Sequence, residues 1–358
     1  MMSDDADQGF DIVIATTGRA TLGDLLDVLA GGEGPRPRHV VVVDDRRAPA
    51  GPLLPGRPAG WVGDRLVVVA GGGRGPAAAR NAGWRACAGK WVVFLDDDVL
   101  PEAGWLAALA ADLAQAGPET AAVQGRLTVP LPPGRRPTDW ERNVRALQDA
   151  PWITADMAVR RHALRLVGGF DERFPRAYRE DADLALRLRR AGLEIAWGAR
   201  RVAHPVREAP WWVSLRLQAG NRDDVLMDAL HGRGWRSEGR RPRRLHAHLA
   251  TAAAGAVALP AWGLHLPQLA VLAAAAWLAL TAQLAWARLA PGPGGLREIA
   301  TMLATSMLMP FVVAYHWCAA MLAVRRLLRA RAAPRPALVA VDGALATVLE
   351  RVERGVGG

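Results

Sequence analysis

The chain carries one lysine, Lys90, among 45 basic residues, so its positive charge is almost entirely arginine. That scarcity excludes some chemistry. A Walker P-loop needs Gly-Lys followed by Ser or Thr, and Lys90 is followed by Trp91. The glycines at positions 71 to 75 are therefore not such a loop. The two cysteines, Cys87 and Cys318, cannot make a disulfide framework or a cysteine zinc site, which fits a reducing compartment. Met1 to Gly9 is acidic and polar, with no basic region leading into an apolar core, so no secretory signal is expected there. No internal repeat of solenoid period is evident.

The net charge is +10 and the sequence pI is near 11.0. The excess concentrates in Arg233 to Arg244 and Arg325 to Arg335, on either side of stretches without charge. That placement points to a membrane surface. Neither cluster carries the interleaved aromatics that stack bases, so no nucleic-acid partner is expected.

Strands and helices alternate through the first hundred residues. Asp11 to Thr16, His39 to Val43, Arg65 to Val69 and Val92 to Leu95 read as strands. Helices are expected over 22–29, capped by Thr21, over 77–88, and over 101–116 with proline in the first turn. This alternation predicts a mostly parallel sheet. Farther on, strands are expected at 122–129, 154–160, 193–197 and 202–204, and helices at 162–167, 180–190 and 211–230.

The strand Val92 to Leu95 runs straight into Asp96, Asp97 and Asp98. Ligands of open α/β sheets bind at the C-terminal ends of strands. Three adjacent carboxylates repel one another, and either solvent or a divalent cation relieves the repulsion. The plain structural alternative is a solvated acidic turn capping the next helix. A haloacid-dehalogenase-type phosphatase also opens with Asp-x-Asp after an apolar strand, but it needs a downstream lysine and none follows here.

Four motifs occur in one order. They are Thr16-Thr-Gly-Arg19, Val40-Val-Val-Val-Asp-Asp45, Gly75-Pro-Ala-Ala-Ala-Arg-Asn-Ala-Gly83 leading to Phe94-Leu-Asp-Asp-Asp98, and Gly168-Gly-Phe-Asp171 followed by Glu180-Asp181. Together they resemble family 2 glycosyltransferases, over roughly Asp11 to Arg207. The resemblance implies the GT-A fold, a Rossmann-like α/β sheet with helices on both faces. It implies a nucleotide-diphospho-sugar donor and a divalent cation, Mg²⁺ or Mn²⁺, at Asp96 and Asp98. In some relatives a histidine completes that metal site, which here is His204; a structural histidine is the alternative. Thr17, Arg19, Asp45, Arg80 and Asp97 would face the donor, and Asp156 would line the acceptor cleft. Asp181 would be the general base of an inverting transfer, with Glu180 orienting base or acceptor. Processive relatives carry Gln-x-x-Arg-Trp near their membrane helices. Gln218 is followed by Ala-Gly-Asn-Arg-Asp, so transfer of a single sugar is expected. A nucleotidyltransferase of related fold fits less well, since only Gly18 and Arg19 match its glycine-rich loop. A non-catalytic nucleotide-binding scaffold would not need both Asp98 and Asp181.

Leu249 to Ala287 and Ile299 to Val324 contain no Asp, Glu, Lys or Arg. A bilayer-crossing helix needs roughly 20 apolar residues. The expected organisation is a catalytic domain over 1–235, a basic juxtamembrane segment over 236–248, hydrophobic helices over 249–330 and a tail over 331–358. Within 249–330, a transmembrane hairpin is expected over 249–287, with Pro260 to Pro267 as its turn, and an interfacial or spanning helix over 297–328. Arginine at both outer ends implies that both face the cytoplasm, hence an even number of spans. The expected location is the inner face of the cytoplasmic membrane, in contact with lipid, with a lipid-linked glycan or polyprenyl acceptor. Trp211 and Trp212 would cover the site or lie at the membrane interface.

Overall fold

Ile12 to Ile14, Val40 to Val43 and Val92 to Phe94 are all but sealed from solvent. Strands apolar on both faces need cover on both faces, which central strands of a layered α/β sheet receive. The computed structural model, which describes residues 9–54, 56, 58–238 and 244–329, contains that sheet. Its elements begin with β1 (Phe10–Thr16), α1 (Thr21–Gly31), β2 (Val40–Asp44), α2 (Gly60–Arg65), β3 (Leu66–Ala70), α3 (Pro76–Ala86) and β4 (Trp91–Asp96). Then come β5 (Leu100–Pro101), α4 (Trp105–Gln115), β6 (Thr120–Thr128), α5 (Asp139–Arg145), β7 (Asp156–Arg160), α6 (Arg161–Val167), α7 (Glu180–Arg190) and β8 (Glu194–Ala203). The remainder is helical: α8 (Val213–Leu217), α9 (Asn221–His231), α10 (Trp235–Glu238), α11 (Leu245–Gly263), α12 (Pro267–Leu289) and α13 (Leu296–Arg329).

Two units share the described residues. The first holds 9–128 and 151–204, and the second holds 129–150 and 205–329. The first unit is built on one sheet, in the order β3-β2-β1-β4-β7-β6-β8-β5. From β3 to β4 every pairing is parallel. β7 then joins antiparallel to both β4 and β6, β8 pairs parallel with β6, and β5 runs antiparallel to β8. The sheet is thus mixed, and it is parallel throughout the first four long strands as the alternation of strands and helices predicts. Its register aligns the strand ends that carry the acids, with Ala15 opposite Asp96 and Thr16 opposite Asp44.

Several local expectations change. Thr21 is the first residue of α1 and donates no cap; the capping position is Ala20. The helix expected from Pro101 starts only at Trp105, because Leu100 and Pro101 pair with β8. β8 is one strand of 10 residues where two short ones were expected. The helix expected over 211–230 is broken by a 3-10 turn at Gln218–Gly220. α5 has a capping box between Thr138 and Glu141, a helix start absent from the sequence reading.

In the second unit α11 and α12 form a hairpin that turns at 264–266. α13 packs along both. Gly255 of α11 lies so close to Phe311 and Trp277 that a Cβ there would meet their rings at 2.6 and 2.9 Å. Among the described residues two helices are long and apolar enough to cross a membrane, α12 and α13. α11, half of the expected transmembrane hairpin, is not one of them: it is 19 residues long, alanine-rich, and carries two histidines at its start and Pro260 inside. Residues 239–243 of the basic segment and the expected tail over 331–358 lie outside the described residues.

Candidate active site

Asp97 is the anchor of the acidic turn. Its Oδ2 accepts from Thr16 Oγ1 at the end of β1, and its Oδ1 accepts from Arg19 Nη1, both at 2.5 Å. Asp97 is 1% exposed, so this charge is neutralised from within the protein. Thr16 Oγ1 in turn accepts from the Gly18 amide at 3.0 Å, which shapes the loop carrying Arg19. Thr17 is exposed beside it.

Asp98 and His204 face one another. Oδ1 of Asp98 lies 3.6 Å from Nε2 of His204, and both residues are buried. His204 follows the end of β8, where its backbone N–H donates to the Thr128 carbonyl of β6 at 2.7 Å. A carboxylate and a neutral imidazole at this separation fit a divalent cation with a preference for mixed O and N ligands. Among the described residues no group of three or more His, Cys, Asp or Glu side chains is arranged as a complete metal site. A cation here would draw its remaining ligands from phosphate oxygens and water, as Mg²⁺ and Mn²⁺ do in phosphoryl-binding sites. Asp96, also expected at the metal, accepts from Arg80 through Oδ1.

Arg80 joins two of the motifs. Its Nη2 donates to Asp96 Oδ1 at 2.8 Å and its Nη1 donates to Glu180 Oε1 at 2.7 Å. The guanidinium sits 5.7 Å from the Phe170 ring centre, so its third side is covered by an aromatic face. Burial opposes its charge, and Asp96 and Glu180 more than offset that, holding its pKa above the usual arginine range. Burial, followed by the neighbouring Asp181, pushes Glu180 up to about 8, with Arg80 acting in the other direction. Burial likewise raises the Asp181 carboxyl, while the Ala182 amide, donating to its Oδ1 at 2.7 Å, opposes the shift. Arg179, just before this pair, has a left-handed backbone with φ of +78°. A non-glycine residue held there stores strain, a frequent property of functional sites.

Asp45 fastens the glycine-rich loop. Its two oxygens accept from the backbone amides of Arg74 at 3.0 Å and Gly75 at 2.9 Å. Gly75 is required by geometry: its φ is +99°, and a Cβ would lie 2.6 Å from the Pro175 carbonyl. Thr17, Arg19, Asp45, Arg80 and Asp96 to Asp98 thus gather at the ends of β1, β2 and β4 and the start of α3, and Glu180 joins them through Arg80.

Asn81 supports the site from behind, a role the sequence did not reveal. Its Oδ1 accepts from the Phe170 amide and Trp84 Nε1, and its Nδ2 donates to the Phe170 carbonyl and Glu172, all at 2.9 Å. It pins the Gly168-Gly-Phe-Asp turn to α3. The available signal was a polar Arg80-Asn81 pair in an otherwise alanine-rich helix.

Asp156 does not line a cleft. It is 2% exposed, its Oδ2 accepts from Trp105 Nε1 at 2.9 Å, and its Oδ1 accepts from Arg200 Nε at 2.8 Å. Arg200 also pairs with Asp112 at 3.0 Å. Buried and paired with Arg200, Asp156 balances a buried charge.

Residues 11–182 match the model of Glycosyl transferase family 2. Among curated proteins, the chain is similar to the pre-mycofactocin glycosyltransferase of Mycobacterium tuberculosis (strain CDC 1551 / Oshkosh), 35% identical over 176 residues. That match covers 44% of this chain and 35% of the relative, so it spans about a third of the relative's length. Among solved structures, it is similar to GalNAc-T7 with UDP, GalNAc and Mn²⁺ (16% identity, 65% of this chain, 50% of that one, TM-score 0.47). It is also similar to glucosyl-3-phosphoglycerate synthase from Mycobacterium tuberculosis in complex with Mn²⁺, UDP and glucosyl-3-phosphoglycerate (15% identity, 62% and 79% covered, TM-score 0.41). The matched residues include the Thr-Gly-Arg loop, the acidic turn, the Arg80 helix and the Glu180-Asp181 pair. Over residues 11–182, the segment that holds the site, this chain is thus similar to Glycosyl transferase family 2.

Proposed function

We propose that the enzyme transfers a single sugar from a nucleotide-diphospho-sugar to a hydroxyl or phosphate acceptor held at a membrane. The observation that carries this reading is the Arg80 bridge, which ties the acidic turn at Asp96 to the Glu180-Asp181 pair. One side of that bridge suits a diphosphate and the other an acceptor.

Asp98 and His204 would hold Mg²⁺ or Mn²⁺. Such a cation neutralises the charge that builds on the leaving diphosphate. Asp96 lies beside this pair and is oriented by Arg80. Arg19, held by Asp97, and Thr17 flank the donor, and Asp45 keeps the glycine-rich loop open beside it. The half-buried Asp181 carboxylate accepts the proton of an attacking hydroxyl. As the new glycosidic bond forms, the bond from sugar to phosphate breaks and the nucleoside diphosphate leaves. A single base on the acceptor side supports inversion by direct displacement.

α12 and α13 support attachment to a membrane, and the flanking arginine clusters favour the inner face of the cytoplasmic membrane, where a lipid-linked glycan or polyprenyl acceptor would be concentrated. The test is a panel of nucleotide-sugars with and without Mn²⁺, reading nucleotide release. Metal-dependent release from one donor, lost in Asp98→Ala, is the expected result. No release and no metal-dependent binding with any donor would overturn the reading.

A further inference from the structure

A buried arginine ties the end of a candidate membrane span to an exposed aromatic surface. Arg288 lies one residue before the end of α12 and is 8% exposed. Its Nη1 donates to Thr305 Oγ1 at 2.8 Å and Ser306 Oγ at 3.0 Å on α13. Its Nη2 donates to Asp139 Oδ2 at 2.8 Å and to Ser214 Oγ of α8 at 3.0 Å. A charged side chain near the end of an apolar helix marks the depth at which that helix leaves hydrocarbon. α12 has 23 residues. At 1.5 Å per residue that is about 34 Å, enough to cross a hydrocarbon core of about 30 Å and leave Arg288 at its edge.

Ser214 places α8 at this same level. On its inner side Leu215 packs against the cluster of Leu245, Met309 and Val313. Large apolar side chains at and just before this helix are exposed: Trp211 is 53% exposed, Trp212 42% and Leu217 44%. The exposed charged residues nearby in sequence are Arg207, Arg216 and Arg222, against one acid, Glu208. Adjacent tryptophans with a leucine and arginines, at the depth where a span ends, match the chemistry of the headgroup layer, where indole rings settle and arginine meets phosphate.

We infer that Trp211, Trp212 and Leu217 form an interfacial anchor, which rests in the headgroup layer of a phospholipid bilayer containing anionic lipid. The inference rests on the reading of α12 as a membrane span, and the experiment separates the two. Nitroxides are attached to the full chain carrying Cys318→Ser, at Trp212→Cys or Leu217→Cys, in vesicles of phosphatidylcholine and phosphatidylglycerol. Cys87 is buried. Leu278→Cys, on an exposed position of α12, reports on the span, and Val68→Cys, on the exposed edge strand β3, supplies the aqueous reference. Collisions with oxygen and with a water-soluble nickel complex give the depth. Expected is a deep label at 278, and labels at 212 and 217 whose nickel accessibility is several-fold below that at 68 while oxygen accessibility stays high. Nickel accessibility at 212 and 217 equal to that at 68, with 278 deep, overturns the anchor and leaves the span standing. Low accessibility to both reagents at 212 and 217 overturns it in favour of a protein partner. An aqueous label at 278 overturns the span and the anchor together.

Discussion

Arg80 Nη1 donates to Glu180 Oε1 at 2.7 Å across 100 positions of the chain. Both side chains are nearly sealed, at 6% and 3% exposed. Removing one partner from a buried pair strands the other charge, at a cost of about 3 kcal/mol or more. Arg80→Met should therefore lower unfolding free energy by roughly 3 kcal/mol in a denaturant titration and abolish nucleotide release. Arg80→Lys keeps the charge but not the two-armed geometry, so it should recover more stability than activity.

The pH dependence of turnover should report the Asp181 environment. A base must be ionised to accept a proton, and burial raises the Asp181 carboxyl. The rate of nucleotide release should therefore rise with pH along a limb lying above the ordinary carboxylate range. In Asp181→Asn this limb should vanish together with turnover, while nucleotide binding measured by calorimetry persists. A limb at the pH of an unperturbed aspartate would contradict this environment.

His204→Ala should discriminate between metals. Imidazole suits Mn²⁺ better than Mg²⁺, which prefers an all-oxygen shell. Mn²⁺ affinity in the presence of nucleoside diphosphate, measured by electron paramagnetic resonance, should fall by about tenfold or more. The Mg²⁺ requirement of nucleotide release should move less. Equal losses for both metals would argue that His204 is structural.

Asn81→Ala should destabilise the domain without touching any proposed ligand. It leaves the Phe170 amide and the Trp84 indole N–H without their buried acceptor. Each such loss costs on the order of 1–3 kcal/mol. A melt of the variant should shift accordingly, and Asn81→Asp, which sets a carboxylate oxygen against the Phe170 carbonyl and Glu172, should lose at least as much.

β1, β2 and β4 were legible in the sequence because each is apolar on both faces, a pattern visible in a short window. β8 was read as two strands because Arg200 interrupts its apolar pattern. The acids that neutralise it, Asp112 and Asp156, lie 88 and 44 positions away, so no local window shows the compensation. Asp156 was misjudged for the same reason: a free carboxylate and one paired in the interior look alike in sequence. The acidic turn and the Glu180-Asp181 pair stood out because adjacent carboxylates repel and demand an explanation. Asn81 did not, because a helical asparagine is unremarked until its partners are known. The antiparallel entry of β7 was hidden because strand direction depends on the long loops that precede it.

That entry of β7 bears on biosynthesis. β7 lies between β4 and β6, so it reaches the sheet after both of its neighbours have been made. Until residues 156–160 leave the ribosome, the edge of β4 that pairs with them, from Trp91 to Leu95, has no strand to receive it. An apolar strand edge left bare is a template for pairing with other chains. Fragments ending between β6 and β7 keep that edge bare and are the ones that should aggregate.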